Sequence, residues 1–206
     1  MTTLRSLTYD DLGTAAQRER HTRILAAAMA LASDGGFDRV QMRAVAEQAD
    51  VALGTLYRYF PSKIHLLVSA LAAELRGARE ALDREPAPGV APAERVRFVL
   101  GHTTRRLQRD PPLTEALTRA FVFADASVGT EIHAVEVEVA RMLMGALRGP
   151  VADADASSCD PSEEEVAIMK VIGDVWLGGL VQWVTGRVSA EDVATSTETA
   201  VRLLLR

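Results

Sequence analysis

The sequence predicts an all-α chain in which an N-terminal three-helix head with a helix-turn-helix is joined to a larger helical body. Three observations predict it. Apolar residues recur at spacings of three and four rather than two, so helical periodicity runs nearly throughout. Helix-start signals stand at Thr14 with Gln17, at Ser162 with Glu165 and at Ser189 with Asp192, pairs that satisfy each other's free backbone donors. Two short apolar-patterned segments separated by a tight break, Gln41–Gln48 and Leu53–Phe60, follow the first long helix.

The first helix opens after Thr14 and carries Ile24, Leu25, Ala28, Met29 and Leu31 on one stripe. Asp34-Gly35-Gly36 is expected to stop it, because glycine takes the left-handed C-terminal conformation cheaply. The two short helices enclose the break at Ala49 to Ala52, and Pro61 ends the second by disfavouring a helical residue before it. Ser62 can cap the next helix, whose stripe is Ile64, Leu67, Val68, Leu71 and Leu75. Pro, Ala and Gly dominate REPAPGVAPA (Arg84 to Ala93), which reads as a connection, and a helix follows over about Glu94 to Arg109. Asp110 caps a helix opening with Pro111 and Pro112, whose missing amide donors cost nothing in a first turn. Another helix spans about Thr130 to Leu147, and Pro150 to Asp160 reads as a mobile loop. The helix after Ser162 runs to about Thr185 and is apolar on more than one face, so it needs more than one partner. The last begins at Ser189. The expected organisation is an arm at 1–13, a helix-turn-helix domain at 14–62 and a ligand-binding and dimerisation domain at 63–206.

Composition narrows the function classes. The 206 residues are 48% hydrophobic and 25% charged, the proportions of an ordinary globular protein. No uninterrupted apolar stretch reaches the roughly 18 residues a membrane span needs, and the first residues lack the apolar centre of a signal peptide, so no membrane and a cytoplasmic location are expected. The single cysteine, Cys159, forms no internal disulfide and supplies no metal framework. Net charge is −5, divided as +1 through Lys63 and −6 beyond it, which leaves the first part as the place for a polyanion.

VALGTLYRYFPSK, Val51 to Lys63, holds two of the three tyrosines. On a helical wheel Leu53, Leu56 and Phe60 share the inner face, Gly54, Thr55 and Arg58 point away, and Tyr57 and Tyr59 sit on the flanks. A helix of barely two turns is not stable alone, so its inner face must be clamped by longer neighbours. The outer face then offers hydroxyls, a guanidinium and a glycine that lets a backbone come close, as a recognition helix does in a major groove. Tyr57, Tyr59 and Lys63 suit phosphate oxygens, while Thr55, Arg58 and Arg43 suit base edges, and Gln41 and Gly54 complete the expected DNA-binding set.

At these residues the chain resembles the TetR family of bacterial one-component repressors. The match runs from Arg23 to Leu67, through GGFDRV, QMRAVAEQADV and GTLYRYFPSK. One departure is Asp50, where many members carry glycine; Asp tolerates the left-handed conformation well enough for the turn to survive. PPLTEALTRAFVFADAS (Pro111 to Ser127) and DVWLGGLVQWVTGRVSAEDV (Asp174 to Val193) further resemble the actinobacterial repressors of sterol catabolism. The family resemblance implies a homodimer whose helical body binds a small molecule, and two-fold symmetry then calls for a palindromic operator; the narrower resemblance implies a small hydrophobic inducer, a steroid coenzyme A thioester, with a fatty acyl-CoA or another apolar ligand as the alternative, and no cofactor is expected.

In the body, Phe98, Phe121, Phe123, Met142, Met144, Met169 and Trp176 are candidate ligand-lining residues, since aromatic and thioether side chains suit an irregular apolar ligand. Trp176, Gly179, Leu180 and Trp183 are candidate dimer-seam residues, with glycine permitting close helix approach. Catalytic motifs are lacking: no nucleophile elbow, HExxH, Walker loop or dinucleotide glycine pattern occurs. Glu131, His133, Glu136 and Glu138 read as the polar face of an amphipathic helix rather than a metal set.

Overall fold

A computed structural model describes residues 13–84, 89, 91–149 and 161–205. The expected arm and loop therefore lie outside the described residues, apart from Gly13, as does Cys159. Among the described residues there are nine α-helices and no strand. They are α1 (Ala15–Arg39), α2 (Met42–Gln48), α3 (Leu53–Tyr59), α4 (Lys63–Arg84), α5 (Pro92–Gln108), α6 (Pro111–Val122), α7 (Gly129–Arg148), α8 (Glu163–Val184) and α9 (Ala190–Leu204), with a short 3-10 turn at Ala126–Val128. All three anticipated caps form: Thr14, Ser162 and Ser189 each accept an amide three residues on while that residue's side chain returns the bond.

Contacts divide the chain into two compact units. The first runs through Glu74 and takes in Asp110–Glu136; the second holds Leu75–Arg109 and Val137–Arg206. The helix-turn-helix thus shares a unit with α6 and the start of α7, which a division at residue 62 separates from it. In the first unit α1 packs along α6 and against α2, and α2 against α3. Ile24, Ala28, Val40, Val45, Leu56, Phe60 and Leu66 are fully buried there.

Gly35 and Gly36 do interrupt α1, but by another route than the expected left-handed stop. Gly36 adopts φ 68°, ψ −163°, a region other residues rarely enter, and one further turn continues to Arg39. Tertiary contact decides this: Glu115 on α6 accepts the Phe37 amide at 3.0 Å, and a Cβ on Gly36 would stand 3.0 Å from the same carboxylate oxygen. At the end of α2, Asp50 takes φ 52° as the turn chemistry demands. Its amide bonds to Glu47 O and that of Val51 to Ala46 O, the paired closure of a helix ending in a left-handed residue.

In the second unit α9 packs on both α8 and α5. Trp176 is 2% exposed and donates its indole N–H to Thr104 Oγ1 at 2.8 Å, while Thr103 donates to Met142 Sδ at 3.3 Å. Arg95 is buried on α5 and donates to the carbonyls of Ala146 and Leu147, both at 2.8 Å, placing a cation at the negative end of α7. Glu138 on α7 is equally buried, bonded to Arg76 at 3.1 Å and Arg79 at 3.0 Å. Burial pushes its carboxyl up, yet the hydrogen bonds and charges of Arg79 and Arg76 outweigh this and hold it below the usual glutamate range. By length and mean hydropathy α8 is apolar enough to cross a membrane. Lys170 and Asp174 pair along its exposed side, and the helix packs on α9.

Candidate nucleic-acid interface

Two short helices and the Asp50 turn build this surface, and neighbouring elements hold it. Leu56 and Phe60 are fully buried, as the wheel requires. Tyr57 is 45% exposed, Arg58 and Gly54 are exposed, and Thr55 is half-buried. Around Gly54 a Cβ would meet nothing within 4 Å, so a backbone or phosphate can approach unhindered. Arg43 and Gln41 are exposed at the start of α2, where Gln41 Nε2 donates to Asp38 O at 3.0 Å.

Tyr59 corrects the sequence reading. It is 1% exposed, its ring tilted against His21 at 6.3 Å and Phe60 at 6.4 Å, so it is a clamp for α3 and not part of the outer face. Leu53, assigned to the inner face, is 37% exposed instead. The two lie on opposite sides of Leu56, each about 60° away, so periodicity alone does not choose between them. His21 on α1 chooses Tyr59.

Lys63 opens α4 half-buried, with its ammonium 3.8 Å above the Phe37 ring. The guanidinium of Arg119 also lies over that ring, at 4.6 Å, and pairs with Asp38 and Glu115 at 3.5 Å each. Burial pulls the Lys63 ammonium below the usual lysine value, Asp38 works against that, and Arg119 adds to it. Sequence reasoning missed the strut behind this helix start: Ser62 Oγ lies 2.9 Å from His65 Nδ1, and His65 Nε2 lies 3.3 Å from the Ser127 carbonyl. No local pattern marks His65, because its partner is 62 residues away.

The candidate ligand residues are placed unevenly. Phe121 and Phe123 belong to the first unit; Phe98, Met142, Met144, Met169 and Trp176 belong to the second. Met142, Met169 and Trp176 are buried, and Phe98, Phe121 and Met144 half-buried. Phe123, expected in the interior, is 69% exposed because α6 ends at Val122 and its stripe no longer applies. The dimer set is corrected in part. Trp176, Gly179 and Leu180 are buried within the chain, a Cβ on Gly179 standing 3.1 Å from Val193 of α9. Trp183 is half-buried. The exposed side of α8 carries Val166 and Val171 instead. Nor is the acidic stretch of α7 one polar face: His133 and Glu136 are exposed, but Glu131 and Glu138 are each 3% exposed.

The chain is similar to known proteins over most of its length. Residues 24–70 match the family described as bacterial regulatory proteins, tetR family, and residues 89–204 match a tetracyclin repressor-like C-terminal domain. The HTH-type transcriptional repressor KstR of Rhodococcus jostii (strain RHA1) is 52% identical over 196 residues, 95% of this chain and 87% of the relative. A TetR transcriptional regulator from Rhodococcus sp. RHA1 superposes with a TM-score of 0.81 at 32% identity, over 92% of this chain and 97% of its own. Thermus thermophilus FadR, crystallised in complex with lauroyl-CoA, shares the fold at 24% identity and a TM-score of 0.64, over 90% of this chain and 93% of its own.

Proposed function

The chain belongs to the TetR family of bacterial regulators, and from that premise we propose that it is a cytoplasmic transcriptional repressor, not an enzyme, that binds a palindromic operator as a homodimer. A small hydrophobic inducer releases it. We assign that inducer to the steroid coenzyme A thioesters and the controlled genes to sterol and lipid catabolism, on the strength of the 52% identity to a KstR repressor. A second reading, a fatty acyl-CoA effector, is favoured by the lauroyl-CoA complex of the Thermus FadR neighbour.

The observation that carries the DNA-binding half is the outer side of the α2–α3 corner, where Tyr57, Arg58, Arg43 and Gln41 stand exposed around the open Gly54. In this reading Tyr57 and Lys63 donate to phosphates, fixing register, and Arg58, Arg43 and Thr55 reach base edges, where a bidentate arginine–guanine pair is worth about 1–3 kcal/mol of discrimination. Gln41 contributes at the groove edge. Two-fold symmetry sets two such corners about one duplex turn apart or a multiple of it. The subunit contact falls on the exposed side of α8 and α9, with Val166, Val171 and Leu203, and Gly178 open to close approach. Within the second unit, Met142, Met144, Met169 and Phe98 remain the candidate effector contacts. A swing from 99:1 bound to 1:99 requires the inducer to prefer the released state by about 5.5 kcal/mol.

The test is a mobility shift on DNA upstream of the protein's own gene, repeated with steroid coenzyme A thioesters, fatty acyl thioesters and free steroids. Retardation reversed by the steroid thioesters is expected; reversal by fatty acyl thioesters alone would remove the steroid assignment, and no retardation would remove the regulatory one. Lys63→Ala should weaken binding evenly across operator sequences and reduce the slope of log affinity on log salt by about 1, as loss of one phosphate contact does.

A further inference from the structure

Four charged side chains of the first unit gather around the Phe37 ring: Lys63 from the start of α4, Glu115 and Arg119 from α6, and Asp38 next to the ring in sequence. Charge alone would pair the two cations with the two carboxylates one to one. The structure shares them unevenly. Arg119 pairs with both Asp38 and Glu115, at 3.5 Å each, and Glu115 is further occupied by the Phe37 amide at 3.0 Å. Lys63 has the face of the ring, 3.8 Å from its centroid, and pairs with neither carboxylate, although both act on its charge through space. The division follows from the chemistry of the two cations: a guanidinium offers five donors in a planar fork, whereas an ammonium is a compact point charge. A ring face attracts that charge electrostatically and leaves N–H donors of the ammonium available to an oxygen acceptor.

We propose that Phe37 and Arg119 are positioning residues for the phosphate contact of Lys63: the ring holds the half-buried ammonium in place, and Arg119 occupies the two carboxylates that would otherwise neutralise it. This deepens the DNA-binding reading above and rests on its assignment of Lys63 to a phosphate. A lysine side chain loses rotamer freedom when a phosphate fixes it, and an ammonium already seated on a ring has given up part of that freedom before DNA arrives. A phosphate must also displace whatever the cation is already paired with. A carboxylate on Lys63 would be such a competitor and would itself repel the duplex; a ring face does neither. With Asp38 and Glu115 tied to Arg119, Lys63 meets the backbone as an uncompensated charge. Neither Phe37 nor Arg119 has to touch DNA for this to work.

A double-mutant cycle tests this. Binding to a duplex from upstream of the protein's own gene is followed by fluorescence anisotropy for the full-length protein, for Lys63→Ala, Phe37→Leu, Phe37→Tyr and Arg119→Met, and for Phe37→Leu and Arg119→Met each combined with Lys63→Ala. Phe37→Leu and Arg119→Met should each weaken binding about two- to fivefold, the range for an exposed cation–π contact or ion pair. Phe37→Tyr, which keeps the ring face, should bind like the unaltered protein. In the Lys63→Ala background neither Phe37→Leu nor Arg119→Met should cost anything further, because a positioning residue acts only through the group it positions. A loss that persists at full size in that background overturns the proposal, since a general charge effect or a packing defect acts with or without Lys63. Unchanged binding by either Phe37→Leu or Arg119→Met while Lys63→Ala is weakened also overturns it and leaves the phosphate assignment standing. Unchanged binding by Lys63→Ala overturns both.

Discussion

Tyr57 and Tyr59 are two residues apart on one short helix, yet replacing them by alanine should give opposite phenotypes. Tyr59 is 1% exposed and Tyr57 is 45% exposed. A buried tyrosine removes about 150–250 Å² from water, which at about 25 cal/mol per Å² is worth about 4–6 kcal/mol. Relaxation of the His21 and Phe60 rings around the gap recovers part of this, so Tyr59→Ala should cost about 3–5 kcal/mol, as other aromatic truncations in cores do. Tyr57→Ala should change stability by no more than about 0.5 kcal/mol, the range for exposed positions, while weakening operator binding several-fold through the lost phosphate donor. Urea denaturation followed by circular dichroism gives the first quantity, and anisotropy titration of an operator duplex at fixed salt gives the second. The reasoning fails if Tyr59→Ala unfolds at the same urea concentration as the unaltered protein while losing DNA affinity. It also fails if Tyr57→Ala is the less stable variant and binds DNA normally.

Glu138→Gln keeps the shape of the α7 carboxyl but removes its charge, and should cost about 1.5–3 kcal/mol, the range for hydrogen bonds to charged groups. The larger cost of a fully buried broken pair does not apply, because Arg76 and Arg79 are 37% and 25% exposed and reach solvent. Since the folded protein holds this carboxyl below the usual range, its stabilisation is complete above that range and is lost as pH falls through the lower folded value. The melting difference between the two proteins should therefore be constant near neutrality and shrink only at the acid end; a difference that stays flat to low pH would contradict the cause assigned. At Asp50, φ 52° favours glycine and penalises β-branched side chains, so Asp50→Val should lower stability by about 1–2 kcal/mol and Asp50→Gly should leave it unchanged or raise it. Equal melting of both variants would show that the turn relaxes. Gly36→Ala faces both φ 68° and the Glu115 carboxylate, and should cost about 1–3 kcal/mol by thermal melting.

The helices were legible because their signals are local. Thr14–Gln17, Ser162–Glu165 and Ser189–Asp192 place donors and acceptors three residues apart, and Pro61 and Asp110-Pro111 act on their own neighbours, so each works before any distant contact forms. The corner of α2 and α3 was legible for the same reason, Asp50 included. Where the reading failed, it failed on orientation. Tyr59 and Leu53 sit symmetrically about Leu56, and only His21 of α1 decides which goes inside. On α8 the apolar residues cover more than one side, so nothing local says that Trp176, Gly179 and Leu180 turn inward while Val166 and Val171 face out. Glu131 and Glu138 look alike in sequence, and it takes Arg76 and Arg79, about sixty positions away, to make Glu138 a paired charge, while Glu131 Oε1 is buried without a hydrogen bond.

By itself, then, the sequence determined the all-helical fold, the capped helix starts, the left-handed turn and the family, because capping, proline and glycine chemistry and hydrophobic period act within a few residues. Tertiary structure alone decided which side of each helix is outside, how Lys63 lies over Phe37 and which carboxyls are paired, because burial and electrostatics depend on residues that only folding brings together.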